Sequence, residues 1–306
     1  MIFILGIERS ATTWVANILD HHPKTDVYME PLSGFNSRFE QWPDRFTELQ
    51  EIEKKTRYFE KEFEALKKHR RFSFTLFSES PAAWRRDLKW ADFLIRKKLA
   101  TDAVNDFYEL NFHRKSREIQ VDKNPPLQTV IKEVRLNFKA DLIPYLDEQA
   151  KVLVTIREMA SCVRSVMEQI KQGNLVELER DLNQRYGAIS AQTICDYWFE
   201  SYSSLIETLQ NQSVSHRIVS HTDLLKNTAQ TVDDMLAFLG LDISPGVREY
   251  LCQSNQPGSG RHSTRRSRTE LLGRMQEDQN AIYPQMEEQL EKIRNHSVLS
   301  NFINVE

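Results

Sequence analysis

Ile2-Phe3-Ile4-Leu5-Gly6-Ile7-Glu8-Arg9-Ser10-Ala11-Thr12-Thr13-Trp14 opens the chain. Four apolar residues that run into Gly6 read as a buried strand. Thr12 to Asp20 reads as a helix with Trp14, Val15, Ile18 and Leu19 on one face. The turn between them offers backbone N–H groups, the hydroxyls of Ser10, Thr12 and Thr13, and the guanidinium of Arg9. Two readings stand side by side. One is a receptor for phosphate or sulfate at a helix N-terminus. The other is an ordinary strand-to-helix turn with a polar N-cap.

The turn is close to an ATP-type loop and differs from it where the chemistry lies. The Walker pattern is G-x-x-x-x-G-K-[ST]. Counted from Gly6, Ala11 stands at the second glycine and Thr12 at the lysine, while Thr13 keeps the hydroxyl. The lysine that reaches the β/γ-phosphates is replaced by a cation three residues earlier, Arg9. An alanine at position 11 implies a backbone without positive φ there. Glu8 puts a negative charge beside an anion site, so it must point away or pair with a cation.

The rest of the chain sets bounds. Its 306 residues, 40% hydrophobic and 28% charged, can build a sizeable core. A net charge of -3 gives no global basic field for nucleic acid. Cys162, Cys195 and Cys252 lie far apart without metal-ligand spacing, which fits a reducing compartment and three small core residues. His21 and His22 read as helix-terminus residues. No run approaches the roughly 18 apolar residues of a membrane span. The amino terminus reads as a strand, not a signal peptide, which suggests a cytoplasmic protein. Oligomeric state is not legible.

Further strands are expected at Thr25 to Met29, Glu118 to Val121, Lys151 to Ile156 and His216 to Ser220. Helical spacing runs through Leu88 to Asn111, Ala188 to Leu209 and Val232 to Leu239. Alternating strands and helices predict an α/β fold, a central parallel sheet flanked by helices. Ligands bind at the carboxyl ends of such strands. That rim carries Gly6, Glu30, Asp122-Lys123 and Arg157. A charged segment over 47–71 reads as a solvated helical face.

A second informative segment is Val152-Leu153-Val154-Thr155-Ile156-Arg157-Glu158-Met159-Ala160-Ser161-Cys162-Val163-Arg164-Ser165. A strand-end arginine and a serine two turns into the next helix can converge on one phosphate. They can equally be a surface Arg and an incidental Ser.

Together these segments resemble the PAPS-dependent sulfotransferases, in the branch of carbohydrate, tyrosyl-protein and related bacterial enzymes. The first loop looks like their P-[KR]-S-G-[ST]-T, with Glu8 and Ala11 as departures. Arg157 and Ser165 look like their 3′-phosphate motif. Ser220-His221-Thr222-Asp223-Leu224-Leu225 followed by Leu236-Ala237-Phe238-Leu239-Gly240-Leu241 resembles their Y-E-D-L…F-L-G-L. The three occur in the family's order over residues 2 to 241. The resemblance implies a P-loop nucleoside-triphosphate-hydrolase-like sulfotransferase fold as one domain, 1–306, with a helical acceptor-side insertion over about 36–115.

It also implies the donor, 3′-phosphoadenosine 5′-phosphosulfate (PAPS), and the product 3′,5′-phosphoadenosine (PAP). The phosphosulfate would sit on Arg9, Ser10, Ala11, Thr12, Thr13 and Trp14. The 3′-phosphate would sit on Arg157 and Ser165, far from the first site. Glu30, in Tyr28-Met29-Glu30-Pro31, would be the general base for an acceptor hydroxyl, with His21, His22, His113 and His221 as competing bases. Lys123, in Asp122-Lys123-Asn124-Pro125, would stabilise the leaving oxygen. Arg261, Ser263, Thr264 and Arg265, in a basic loop over 258–268, would close over the nucleotide. No metal is required. The acceptor is a glycan, lipid, phenol, peptidyl tyrosine or small metabolite. Two alternatives remain: an ATP-dependent small-molecule kinase, which would need the missing Walker lysine, and a non-catalytic nucleotide- or polyanion-binding module.

Overall fold

The structure, a computed structural model, describes residues 1–30, 45–46, 56–57, 59–60, 126–254 and 268–303. The chain divides into two compact units. One comprises Met1–Leu32, Trp42–Gln50 and Val121–Glu306; the other comprises Ser33–Gln41 and Glu51–Gln120.

At the centre of the first unit is a five-stranded sheet, every pairing parallel. The strands are β1 (Ile2–Leu5), β2 (Thr25–Met29), β3 (Gln128–Glu133), β4 (Lys151–Ile156) and β5 (Ser215–Ser220), in the order β2-β3-β1-β4-β5. The middle of this sheet must be apolar on both faces because helices cover both. All four residues of β1 are buried, as are Val152, Leu153, Val154 and Ile156 of β4. From β1 the chain builds one side of the sheet, and from β4 it builds the other. The ends of β1 and β4 therefore flank the crevice where the strand order reverses, the usual ligand position in open parallel sheets.

The helices are α1 (Thr12–Asp20), α2 (Ile143–Leu146), α3 (Met159–Lys171), α4 (Val176–Tyr186), α5 (Ala191–Asn211), α6 (His221–Lys226), α7 (Thr228–Leu239), α8 (Pro245–Ser254), α9 (Arg268–Ile282) and α10 (Glu287–Arg294). The expected helix over Ala188 to Leu209 starts later, at Ala191. There Ser190 and Thr193 form a reciprocal capping box. Trp198 and Tyr202 of α5 are fully buried, with ring centroids 5.0 Å apart in an edge-on arrangement. Tyr202 donates to the Thr155 carbonyl at 2.8 Å and ties this helix to β4.

The strand that lies between β2 and β1 is Gln128–Glu133, which was not among the expected strands. Residues 118–121 and the helical pattern over 88–111 lie outside the described residues. Residues 128–133 escape a hydrophobicity reading because the strand ends in two charged residues that are nevertheless buried, Lys132 and Glu133. Cys162 and Cys195 are buried as expected, but Cys252 is exposed.

Where β1 ends, Gly6 lies hard against β4. A Cβ built there would sit 2.6 Å from the Thr155 carbonyl oxygen and 2.5 Å from its Oγ1, with φ at +155°. The carbonyl belongs to the sheet and cannot retreat. Gly6→Ala is therefore expected to cost about 1–3 kcal/mol in overpacking, read as a lowered midpoint of thermal unfolding. An unchanged midpoint would show that the loop yields more readily than the sheet register implies.

Candidate active site

The loop after β1 is built from strained backbone and internal hydrogen bonds. Arg9, Ala11 and Glu30 all have positive φ, at 68°, 76° and 44°; among the described non-glycine residues only Ser213 shares this. Such strain persists where surrounding structure imposes it, and it clusters at functional sites. Ala11 thus contradicts the expectation drawn from its side chain. The backbone keeps the left-handed turn that glycine would supply freely, and alanine occupies it at a cost.

Ser10 is also not a free hydroxyl. It is fully buried, donates to the Ile7 carbonyl at 2.7 Å and lies 3.1 Å from Thr155 Oγ1. Its N–H reaches the same Ile7 carbonyl at 3.3 Å. Ser10 braces the loop instead of facing a ligand. Thr12, buried, and Thr13, exposed, begin α1, whose N-terminus no side chain caps among the described residues. The first-turn amides are accordingly available to an anion.

Two arginines converge on this turn. Arg9 Nε donates to Ser165 Oγ at 3.0 Å, and Arg157 Nη1 lies 3.4 Å from the Arg9 carbonyl. The residues expected to serve two separate anion sites are therefore neighbours at this turn. Among the described residues, neither arginine makes an ion pair. The Arg9 pKa is lowered, first by desolvation of its guanidinium and then by repulsion from Arg157. Glu168 offsets that repulsion in part from beyond ion-pair distance, and two cations so placed can receive an anion.

Polar atoms without partners occur on α1, just after β4 and at the start of α6. Trp14 Nε1, Arg157 Nε and His221 Nδ1 are buried and unbonded among the described residues. Burial pulls the His221 imidazole down to about 3, with Arg157 adding to the shift. It is neutral at pH 7. Cys162, whose thiol burial pushes up to about 12, is inert filler behind the loop.

Glu8 pairs with a cation, one of the two outcomes its charge allowed. Arg45 Nη1 donates to Glu8 at 2.6 Å and to the Tyr197 hydroxyl at 2.9 Å, while its Nε donates to Asp181 at 2.9 Å. Tyr197 donates to the other Glu8 oxygen at 2.9 Å. Arg45 is 2% exposed, and the chemistry of its partners keeps it charged: burial alone would lower its pKa, but Glu8, Tyr197 and Asp181 raise it.

Glu30 follows β2 as expected, and its backbone N–H donates to the Lys132 carbonyl at 2.7 Å. Its carboxylate is ion-paired with Lys132, whose stem is buried while the carboxylate remains 40% exposed. Desolvation alone would raise the Glu30 pKa, but Lys132, by charge and by hydrogen bond, brings it below the ordinary value. Lys132 and Arg45 are the residues that sequence reading missed. A signal for Lys132 existed: Thr129-Val130-Ile131 followed by a charge has the same form as the runs that end at Glu30 and Arg157. Lys123, Arg261, Ser263, Thr264 and Arg265 lie outside the described residues.

An α/β sheet with a cationic strand-to-helix turn at its point of reversal defines an anion- or nucleotide-handling protein. The model of the sulfotransferase family matches residues 2–245, and the chain belongs to that family; its chemistry is transfer of a sulfuryl group. Three solved structures are similar to it. The sulfotransferase domain from the curacin biosynthetic pathway shares 18% identity at a TM-score of 0.46, over 87% of this chain and 82% of that one. The sulfotransferase domain from the Synechococcus PCC 7002 olefin synthase shares 15% at 0.43, over 89% and 82%. A mouse sulfotransferase complexed with PAP shares 11% at 0.41, over 84% and 64%. No curated protein matches significantly.

The left-handed Ala11 yields a stability test. Ala11→Gly removes about 1–2 kcal/mol of steric cost and returns about 0.5–1 kcal/mol through the freer unfolded chain. A small net gain is expected, seen as a higher urea midpoint. A loss would mean that the Ala11 methyl contributes packing that outweighs its backbone strain.

Proposed function

We propose that the chain transfers the sulfuryl group of PAPS to an acceptor hydroxyl. The observation that carries this reading is the approach of Arg9 and Arg157 beside the uncapped start of α1, neither of them in an ion pair among the described residues; Glu168 acts on Arg9 only from beyond ion-pair distance. Arg9, the first-turn amides and Thr13 would hold the 5′-phosphosulfate. Arg157 and Ser165 would hold the 3′-phosphate. The unpartnered Trp14 Nε1 and neutral His221 Nδ1 are available to the nucleoside. The roles expected for the basic loop over 258–268 and the segment over 36–115 fall almost wholly outside the described residues. A kinase reading has less support, since ATP carries no 3′-phosphate for Arg157 and Ser165.

In the proposed step, the acceptor oxygen attacks sulfur as the bond from sulfur to the PAP oxygen breaks. Glu30 accepts the acceptor's proton. Lys132, beside Glu30, takes the strand-end position on this rim and would offset charge on the oxygens exchanging the sulfuryl group. The step takes no metal.

Arg157→Ala is expected to weaken PAP by about 10- to 150-fold, from loss of a charged partner worth about 1.5–3 kcal/mol. AMP, lacking the 3′-phosphate, should change much less. Calorimetric titration of both nucleotides checks this, and parallel weakening would remove Arg157 from the 3′-phosphate.

Glu30→Gln should leave PAP affinity nearly intact and lower turnover by about 10²–10⁴, measured with labelled PAPS and a hydroxyl acceptor found by screening. The pH dependence has a definite sign. The basic form of Glu30 is lost as pH falls through its lowered pKa. Lys132→Met removes the attraction and leaves the desolvation, so the acid limb of the rate should move to higher pH. A limb that stays in place would disconnect Lys132 from the base.

A further inference from the structure

The helix α9 and the turn after it lie beyond the family match and are joined to α3, the helix that carries Ser165. Two polar ties make the junction. Glu158, at the end of β4, is the N-cap of α3: its two oxygens accept from the Ala160 and Ser161 amides, each at 2.9 Å. The Tyr283 hydroxyl, in the turn after α9, reaches the same carboxylate and also lies 2.6 Å from the Ile303 carbonyl. Two turns along, Arg164 of α3 is ion-paired with Asp278 of α9, whose carboxylate is buried. The helix α9 packs along α3.

We propose that Tyr283 and Asp278 are positioning residues for the nucleotide site. They hold α3 at both ends of its first two turns and so fix Ser165 against Arg9 and Arg157. This rests on the reading that Ser165 and Arg157 take the 3′-phosphate. Neither Tyr283 nor Asp278 touches a residue of the donor loop among the described contacts; each acts through α3. The carboxylate of Glu158 is the shared element. It lies next in sequence to Arg157 and caps the helix of Ser165, so a shift of that cap moves both 3′-phosphate partners together. Burial raises the Glu158 pKa, and the bonds from Tyr283 and the two amides oppose that shift. Without the tyrosine hydroxyl, the cap holds fewer donors in a dry place.

The test uses the full chain. Tyr283→Phe removes one hydroxyl and keeps the ring; Asp278→Asn removes one charge and keeps the shape. Each is titrated with PAP and with AMP, and amide exchange across α3 is followed by mass spectrometry. PAP should weaken about 3- to 10-fold in either variant, AMP less than about twofold, and the first two turns of α3 should exchange faster. A purely stabilising role would lower the unfolding midpoint and leave the PAP-to-AMP ratio unchanged; that result overturns the proposal. If Tyr283→Phe does not fold, Asp278→Asn carries the same comparison alone. Wild-type protein that fails to prefer PAP over AMP overturns the nucleotide reading and this proposal together. A wild-type preference that survives in folded variants overturns the brace alone.

Discussion

The close approach of β1 to β4 at Gly6 is the constraint on which the site depends. Leu5 is paired with Val154, so the next residues on the two strands face each other as the sheet ends. Thr155 then does several things at once. Its Oγ1 donates to the Leu5 carbonyl at 3.2 Å, meets Ser10, and leaves its carbonyl for Tyr202. Only a residue without a side chain fits between them. The loop is thereby seated low, and Arg9 emerges beside Arg157 instead of above the sheet. The cationic pair is a consequence of backbone packing before it is a matter of charge.

Charges in this half of the molecule fall into two groups with opposite energetics. Glu8, Arg45, Asp181 and Tyr197 are buried and mutually satisfied. Removing one member of such a set leaves a dry, uncompensated charge and costs about 3–5 kcal/mol. Arg9 and Arg157 make no ion pair among the described residues, and Arg157 lowers the Arg9 pKa by repulsion that Glu168 offsets only in part. The first group makes the loop rigid; the second makes it useful. The acidic residue that follows Ile7 belongs to the first group, although its position in the sequence put it inside the anion loop.

The sequence was most legible where one signal sufficed. Apolar runs located β1 and β4, β5 was read to within one residue of its start, and β2 and the helix of Thr12 to Asp20 were read to the residue. Reading failed where the deciding fact was an environment. Lys132 and Glu133 look like the end of a strand's usefulness, yet both are buried because Glu30 and local amides satisfy them. Ala11 looked incompatible with a left-handed turn, but the turn is imposed by the packing of Gly6 and Ser10, and the side chain merely tolerates it. Ser10 looked like a ligand because hydroxyls in such loops often are; its burial is visible only once β4 is in place. Arg45 lies thirty-seven residues from Glu8, and no local pattern links the two.

His221 has a consequence for how the site behaves as a proton-exchanging object. Its imidazole stays neutral down to about pH 3, and guanidinium groups stay protonated throughout the accessible range. The cationic lining beside Arg157 is thus a fixed charge across physiological pH, and the histidine at its side does not titrate there to alter it. Without a ligand, this lining therefore carries the same charge at about pH 5 as at about pH 8, and an anion that approaches it meets a field set by structure and not by the solution's acidity.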